Sequence, residues 1–362
     1  MQLYESRSYD DAIVEGMVLA TNILDDNQQT AELIQKICSP FASKLVEILR
    51  EAQQPQNLQG GQLDKKREED FFENLTKMSL VIRNLEPIGD EATDHVMLHI
   101  FREFWPCLEY MLQTYSKKDR YMEKVCKIVK HTMRCIKHLF LEFLQQYFTI
   151  ILVNYNEYPL PAYLYTVEIA LTIFYKNPEL LKWLSNMFNA MVRRTAQELS
   201  TLGQYENNPD LVEDYYGFMF RYIRYALEIF LECDCVEIIL DNIIIGIGTT
   251  QQEAGKMLYN FILELFRNSK PKGPKGATQE TVQILYNKAE PLRNILVTKY
   301  APLYVKRMLE SIPKDYPVRA ICDEMVECYF GILRTFPQES VTWFQQGLVI
   351  YIWLKKLRLI SL

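Results

Sequence analysis

The sequence predicts an all-α protein, an α-solenoid of HEAT-type antiparallel helix pairs that forms an armadillo-like superhelix. Three observations predict this fold. Apolar residues recur at the spacing of a helix face in segment after segment, and no convincing run alternates polar and apolar residues as a half-buried strand would. Glycine and proline are scarce, at 13 and 15 of 362 residues. A β fold with many tight turns needs more of both.

Helical periodicity is clearest in two segments near the start of the chain. Apolar residues at i, i+3, i+4 and i+7 occupy one face of residues 33–49, and the spacing returns over 71–81. Helix-start signals recur in the breaks, where Pro209 fits a first turn and Thr250–Glu253 matches a capping box. Later helical segments centre on residues 91–115, 119–138, 139–153, 160–175, 178–201, 210–231, 234–246, 250–267, 278–311 and 316–335.

These segments fall into pairs at a spacing near the roughly 40–47 residues of HEAT-type repeats. We predict that residues 1–347 form about seven stacked helix pairs, and that residues 348–362 form a divergent apolar tail. Stacking of such pairs produces an extended concave surface. A plain helical bundle is the alternative. Residues 53–66 and 268–278, rich in glutamine or in lysine, proline and glycine, are expected to be exposed loops.

Composition limits the classes of function. The formal net charge of -6 argues against a general nucleic-acid binder. Eight isolated cysteines, mostly amid apolar residues and without a signal peptide, indicate a reduced, intracellular protein with buried thiols. No stretch reaches the roughly 18 consecutive apolar residues of a membrane span. We therefore expect no membrane partner.

No catalytic or metal-binding constellation is apparent. The chain contains no G-x-S-x-G, P-loop or G-x-G-x-x-G motif. His95 and His99 stand at i and i+4 but lack a third zinc ligand, and Cys233 and Cys235 are one residue too close for a C-x-x-C knuckle. Tyrosines and phenylalanines over 215–225 fit helix packing better than base stacking. The sequence predicts no enzyme, metal or cofactor.

One segment, residues 120–138, has an unusual charge pattern. On a helix, one side is apolar and the other is basic, with Glu123 the single acid among the cations. Like charges at this spacing cost about 1–2 kcal/mol in total, partly relieved by an expected pairing of Glu123 with Lys127, so folding gains nothing obvious from them. A ladder of cations suits an anionic chain lying along it, although a solvated face or pairing with neighbouring acids is the alternative. The basic residues are Arg120, Lys124, Lys127, Lys130, His131, Arg134, Lys137 and His138.

Several ordered stretches resemble the transportin-SR and importin-thirteen branch of the importin-β superfamily, in its C-terminal portion. RYMEKVCKIVKHTMRC at 120–135 resembles the arginine-rich helix of transportin-SR, and Ile100–Leu108 is similar to the family's "IWPVL" helix. Residues 207–214 and 249–261 resemble elements that open later repeats. Order and approximate spacing agree from about residue 15 to 345.

The resemblance implies a HEAT-repeat nuclear import receptor that shuttles between nucleus and cytoplasm. Family members carry serine/arginine-rich splicing factors and other cargo, contact nucleoporins and release cargo when Ran-GTP binds. The arginine helix of transportin-SR holds the phosphorylated segment of its cargo on the concave face. With Lys137 added from the same arc, the implied cargo-binding residues here are Arg120, Lys124, Lys127, Lys130, Arg134 and Lys137.

Three departures from the family matter. Lysine stands for arginine at 124, 127 and 130, which keeps charge but gives up bidentate phosphate contacts. The N-terminal repeats that supply much of the Ran contact have no counterpart, and residues beyond about Gly347 do not follow the family. A HEAT scaffold without a transport role and an RNA-binding, exportin-like solenoid are the alternatives.

Overall fold

The structure, a computed structural model, describes residues 2–24, 26–52, 64–273, 276–312 and 319–360. Within those ranges all regular structure is helical and no strand occurs, which confirms the predicted fold class. A 3-10 helix (Lys137–Phe140) and a π-helix (Leu296–Tyr300) interrupt the α-helices. The α-helices are α1 (Gln2–Thr21), α2 (Asn27–Ala52), α3 (Lys65–Asn84), α4 (Val96–Thr114), α5 (Asp119–Ile136), α6 (Leu141–Glu157), α7 (Pro161–Phe174), α8 (Pro178–Glu198), α9 (Leu202–Asn207), α10 (Pro209–Tyr225), α11 (Leu227–Leu231), α12 (Val236–Gly246), α13 (Gln252–Ser269), α14 (Gln279–Lys288), α15 (Glu290–Ile295), α16 (Ala301–Ser311), α17 (Arg319–Thr335) and α18 (Pro337–Ile360).

The chain forms two compact units, Met1–Phe174 and Tyr175–Leu362. In the first unit, α1, α3, α5 and α7 pack side by side in one layer, and α2, α4 and α6 form the other. Each helix therefore contacts the next but one along the chain, and successive helices pair across the layers. This is how stacked two-helix repeats complete a core that one pair cannot.

The second unit repeats the two-layer arrangement. Helices α10, α13 and α17 stack in one layer, while α12 packs against α8 and α16, and α16 packs against α18. Its core is rich in tyrosine. The hydroxyl groups of Tyr205 and Tyr216 lie 2.9 Å apart, and Tyr205 also donates to the backbone oxygen of Asn242 at 2.9 Å. Tyr215, Phe218 and Tyr222 are also fully buried, which confirms the packing interpretation for most of the aromatics over 215–225. Phe220 is half-buried and Tyr225 is exposed.

One predicted helix start is confirmed. At the other, α13 begins within Thr250–Glu253 as predicted, but the capping box expected there does not form. Pro209 occupies the first turn of α10, where its missing N–H costs nothing. Thr250 is not the N-cap of α13, because its backbone N–H and hydroxyl donate to the carboxylate of Glu206 at 2.6 and 2.7 Å. The capping box of this unit lies instead at Thr201, with Gln204 as its reciprocal partner.

Two long predicted segments are broken in the structure. The segment 278–311 contains α14, α15, the π-helix and α16, and proline stands in the first turn of both α15 and α16. The segment 210–231 is divided at Ala226, which has φ −140°. Apolar periodicity continues through both breaks, so periodicity alone did not reveal them.

The two predicted loops are partly confirmed. Residues 53–63 lie outside the described residues. Asp64 caps α3 by accepting from the backbone N–H of Arg67 at 3.0 Å, so the next two residues, predicted to be in the loop, are helical. In the second stretch Asn268 and Ser269 complete α13, and Gly273 and Gly276 adopt φ of 73° and 85°. Residues 274–275 lie outside the description.

One helical stretch, Asp119–Glu157, is long and apolar enough to cross a membrane by length and composition alone. It comprises α5, the 3-10 helix and α6, and its apolar side chains form much of the core of the first unit. A core helix passes the same test, and this packing supports that interpretation.

Burial of the thiols was also predicted. All eight cysteines are free; seven are buried and Cys322 is half-buried, so the prediction is confirmed for seven. Burial raises the pKa of the Cys38, Cys107, Cys126 and Cys135 thiols to about 12. At the C-terminal end α18 runs without a break into the predicted tail as far as Ile360, and residues 361–362 lie outside the description.

Candidate functional site

Helix α5 separates its residues into an apolar and a basic side, as predicted. Asp119 lies in the first turn of α5 and Arg134 in the last, so both charges complement the helix dipole. The apolar side lies in the core between α3, α4 and α7. Its buried residues are Tyr121, Met122, Val125, Cys126, Ile128, Val129, Thr132, Met133, Cys135 and Ile136.

The basic side is open to solvent. Arg120 and Arg134 are exposed, while Lys124, Lys127 and Lys130 are half-buried. The Lys127 side chain keeps 43% of its full exposure. Arg134 is exposed as well, so within the described part of the chain both side chains are accessible to a ligand.

Two cations lean towards α3. The Arg120 guanidinium lies over the ring of Phe72, 4.0 Å from its centroid. Lys124 Nζ donates to Thr76 Oγ1 at 2.9 Å. Burial, helped by the nearby charges of Lys127 and Arg120, holds the pKa of Lys124 below its ordinary value. Lys124 is therefore the least available of the predicted contacts.

The middle of the basic side is tied to α7 and to α5 itself. Lys130 Nζ lies 4.8 Å from the ring centroid of Tyr165, whose hydroxyl donates to the backbone oxygen of Glu123 at 3.2 Å. Lys127 Nζ lies 2.7 Å from Glu123 Oε1, which confirms the expected pairing at i and i+4. Arg134 forms no ion pair among the described residues.

Lys137 and His138 do not lie on the α5 helix, contrary to prediction. The Ile88 N–H donates to the Cys135 carbonyl oxygen at 2.9 Å, and Lys137 turns away with φ 39° into the 3-10 helix. Lys137 Nζ lies 3.3 Å from Asp90 Oδ1, and the His138 ring bonds the Ala92 carbonyl. The contiguous basic face is therefore Arg120, Lys124, Lys127, Lys130, His131 and Arg134, and it is called the α5 basic face below.

The pKa of His131 is affected by its burial and by the positive charges of this face. Burial, followed by the charges of Lys130 and Arg134, lowers the pKa of His131 to about 4. Arg83, in the last turn of α3, contributes as well. Sequence reasoning missed Arg83 because it is distant along the chain and comes into range only when α3 and α5 stack.

Chemically, the α5 basic face is a cationic surface. It offers ammonium and guanidinium donors at successive helical turns, which suit phosphate or carboxylate oxygens. His131, held neutral, adds no charge near pH 7. Among the described residues no group of histidine, cysteine or acidic side chains is arranged to hold a metal ion. His95 itself is the N-cap of α4, where Nδ1 accepts from the Met97 N–H at 3.2 Å.

The fold and this face define the class of protein, a HEAT-type α-solenoid with a cationic helix surface. Residues 95–199 match the family described as the Transportin-3/Importin-13 fourth TPR domain. The chain is 20% identical to Transportin MOS14 of Arabidopsis thaliana over 335 residues, which are 92% of this chain and 31% of that protein. A solved structure of importin-13 in its cytosolic state has a similar fold, with a TM-score of 0.71 at 12% identity over 94% of this chain and 36% of that one.

These comparisons confirm the resemblance to the transportin and importin-13 branch of the importin-β superfamily. The chain spans about a third of the length of the relatives that it matches. The matched family region contains the whole of α5, so the basic face lies within residues 95–199.

Proposed function

We propose that the chain is part of a nuclear transport receptor of the karyopherin-β type, and that it binds protein cargo through the α5 basic face. The proposed cargo carries phosphorylated arginine–serine repeats or a similar acidic segment. Ran-GTP, nucleoporins and shuttling between nucleus and cytoplasm are part of the same proposal. The family resemblance supports the transport role, and the exposed cations support the cargo class.

A single observation carries the assignment of the site. Lys127, Lys130 and Arg134 point outward from consecutive turns while the opposite side of α5 is fixed in the core. The helix rises about 5.4 Å per turn. Every second residue of an extended peptide advances about 6.6–7 Å, so alternate phosphoserines meet successive turns with little adjustment. Because α5 itself is fixed in the core, the row of cations needs little backbone rearrangement to bind such a chain.

The lysines set the expected selectivity. A lysine ammonium is a flexible point charge, whereas an arginine guanidinium matches two phosphate oxygens at once. Only Arg120 and Arg134 offer that fork, and Arg120 is stacked over Phe72. We therefore expect binding that depends strongly on total ligand charge and weakly on the exact position of each phosphate.

The direct test reverses two charges on the face. The double variant Lys127→Glu/Arg134→Glu should bind a phosphorylated arginine–serine peptide at least about 30-fold more weakly, because two charge-assisted contacts become repulsive. Fluorescence anisotropy with a labelled peptide measures the affinity. The matched control is Lys44→Glu/Arg50→Glu on α2, which makes the same charge change on exposed residues of the other layer. Unchanged affinity in the first variant would remove the proposed role of the face.

The transport role has its own test. A receptor of this class binds phenylalanine–glycine nucleoporin repeats, whereas a HEAT scaffold without a transport role does not. Retention on immobilised phenylalanine–glycine repeats supports the receptor. Cargo binding without such retention would favour the scaffold, and RNA binding without a protein partner would favour the exportin-like alternative.

A further inference from the structure

A second charged site lies in the Tyr175–Leu362 unit, in a groove of about 1220 Å³. Its walls are contributed by α8, α10, α11, α13 and α17, and by residues 270–273 after α13. This volume is larger than the roughly 300–1,000 Å³ of small-molecule pockets. Its dimensions suit several residues of a peptide.

Three arginines line the groove at equivalent positions. Arg224, Arg267 and Arg334 each stand in the last turn of their helix, α10, α13 and α17 respectively. Those helices stack in one layer, and packed helices lie about 8–10 Å apart. The arginines therefore form a row across the helix ends, and Lys270 and Lys272 follow α13 into the same groove.

Helix dipoles explain part of this pattern. A cation in a last turn stabilises the helix, which favours arginine at each of the three positions. The dipole effect does not require that the side chains share a groove, and it is satisfied equally by a cation facing open solvent. The convergence of the three arginines is thus a separate observation.

The positive charge of the groove is only partly neutralised. Among the described residues, Glu264 pairs with two of the arginines, 3.9 Å from Arg224 Nε and 3.6 Å from Arg267 Nη1. Arg334 and Lys272 have no ion pair among the described residues. The other two acids, Glu228 and Glu232, pair with Lys288, 3.1 and 2.9 Å from its Nζ.

Counting all lining residues, six basic side chains face three carboxylates in a chain of net charge -6. The rest of the lining supplies apolar contacts. Tyr175 and Tyr225 meet edge to face with their centroids 5.3 Å apart, beside Leu181, Leu227 and Leu285.

We propose that this groove binds an extended acidic peptide segment of a partner protein, in which carboxylates alternate with apolar side chains. The arginines receive the carboxylates in forked contacts, and the leucines and tyrosines receive the apolar residues. The proposal is independent of the α5 basic face and of the transport role, because it depends only on residues of the second unit.

The test uses the full chain and a short fluorescein-labelled peptide in which aspartate or glutamate alternates with leucine. Arg267→Glu/Arg334→Glu should weaken binding at least about 30-fold, since two forked contacts are replaced by repulsion. The control is Lys306→Glu/Arg307→Glu on α16, which lies outside the groove and makes the same change in charge. It should change the affinity by less than about two-fold, as exposed pairs contribute little.

Circular dichroism establishes whether the reversed variant folds. If it does not, Arg267→Gln/Arg334→Gln removes charge without adding acid and should still weaken binding about 10-fold. Equal losses in the groove and α16 variants, or no loss in either, would overturn the proposal. So would an oligouridylate of matched charge that displaces the peptide while binding more tightly to the chain.

Discussion

The α5 basic face and the groove of the second unit both concentrate positive charge, but in different directions. On α5 the cations follow one helix, and several have local partners: Lys127 has Glu123, Lys124 has Thr76 and Lys130 lies over Tyr165. In the groove the cations run across the ends of three helices, and Arg334 and Lys272 have no ion pair among the described residues. A charge pattern within one helix is visible in the sequence, whereas one assembled across a layer appears only when the repeats stack.

The largest expected effect separates the two sides of α5. Ile128 is fully buried, and Ile128→Asp places an unpaired carboxylate in the core of the first unit. This change should lower the free energy of unfolding by about 3–5 kcal/mol. Arg134→Asp, on the exposed side, should cost at most about 1 kcal/mol through the helix dipole. Urea denaturation of both variants measures the difference, and similar midpoints would contradict the assignment of the two sides.

Charge reversal should affect the two sites separately. Lys127→Glu/Arg134→Glu is expected to weaken phosphopeptide binding about 30-fold. It should change the affinity of the groove for the acidic peptide by less than about two-fold, because forked and charge-assisted contacts act over hydrogen-bond distance. The groove variant Arg267→Glu/Arg334→Glu should give the opposite pattern. Anisotropy titrations of both peptides on both variants test this, and equal losses throughout would indicate one diffuse electrostatic effect in place of two sites.

Acid should destabilise the first unit through His131. Its folded-state pKa, about 4, lies below its ordinary value of 6.5, so the neutral form is favoured in the folded protein. The contribution of neutral His131 to the free energy of unfolding is complete above about pH 6.5. It is lost as the pH falls through 6.5 towards 4. Because His131 is partly exposed, screening reduces the loss between pH 7 and pH 5 to about 1 kcal/mol. Urea denaturation at both pH values should show this loss in the wild type, and His131→Gln should not share it.

The smallest expected effect is a gain in affinity. Glu123 neutralises Lys127 at 2.7 Å, so Glu123→Gln should release Lys127 and tighten phosphopeptide binding about two- to three-fold. Glu142→Gln is the matched control, since Glu142 pairs with Arg102 at 2.6 Å and both side chains lie at the surface of the same unit. Weaker binding by Glu123→Gln would show that Glu123 positions Lys127 and does not compete with the ligand.

Much of the first unit could be predicted from sequence because periodicity and charge coincide on α5. The buried side of α5, from Tyr121 to Ile136, and the pairing of Glu123 with Lys127 followed directly from the spacing of residues. Features that depend on contacts distant in sequence could not be predicted. Thr250 was expected to cap α13, but it donates to Glu206 instead. Lys137 was expected on the basic side of α5, but α5 ends before it, where the Ile88 N–H donates to the Cys135 carbonyl oxygen.

The same reasoning applies to the groove. Arg224, Arg267 and Arg334 are each unremarkable in their own segment, and nothing in the local sequence links them. Only the stacking of α10, α13 and α17 brings their last turns to one place. Low sequence identity between repeats hides such equivalent positions, even though the repeating architecture is what creates them.

The most direct test of the central claim is an NMR titration of the His131 imidazole with and without saturating phosphorylated arginine–serine peptide. The chain has four histidines, so the spectrum is sparse and His131→Gln identifies the signal. Lys130 and Arg134 help to hold the His131 pKa at about 4, and a bound phosphate would offset their charge. The account predicts that the peptide raises this pKa towards 6.5. Saturation of the protein with no change in the His131 pKa would place the phosphates elsewhere and contradict it.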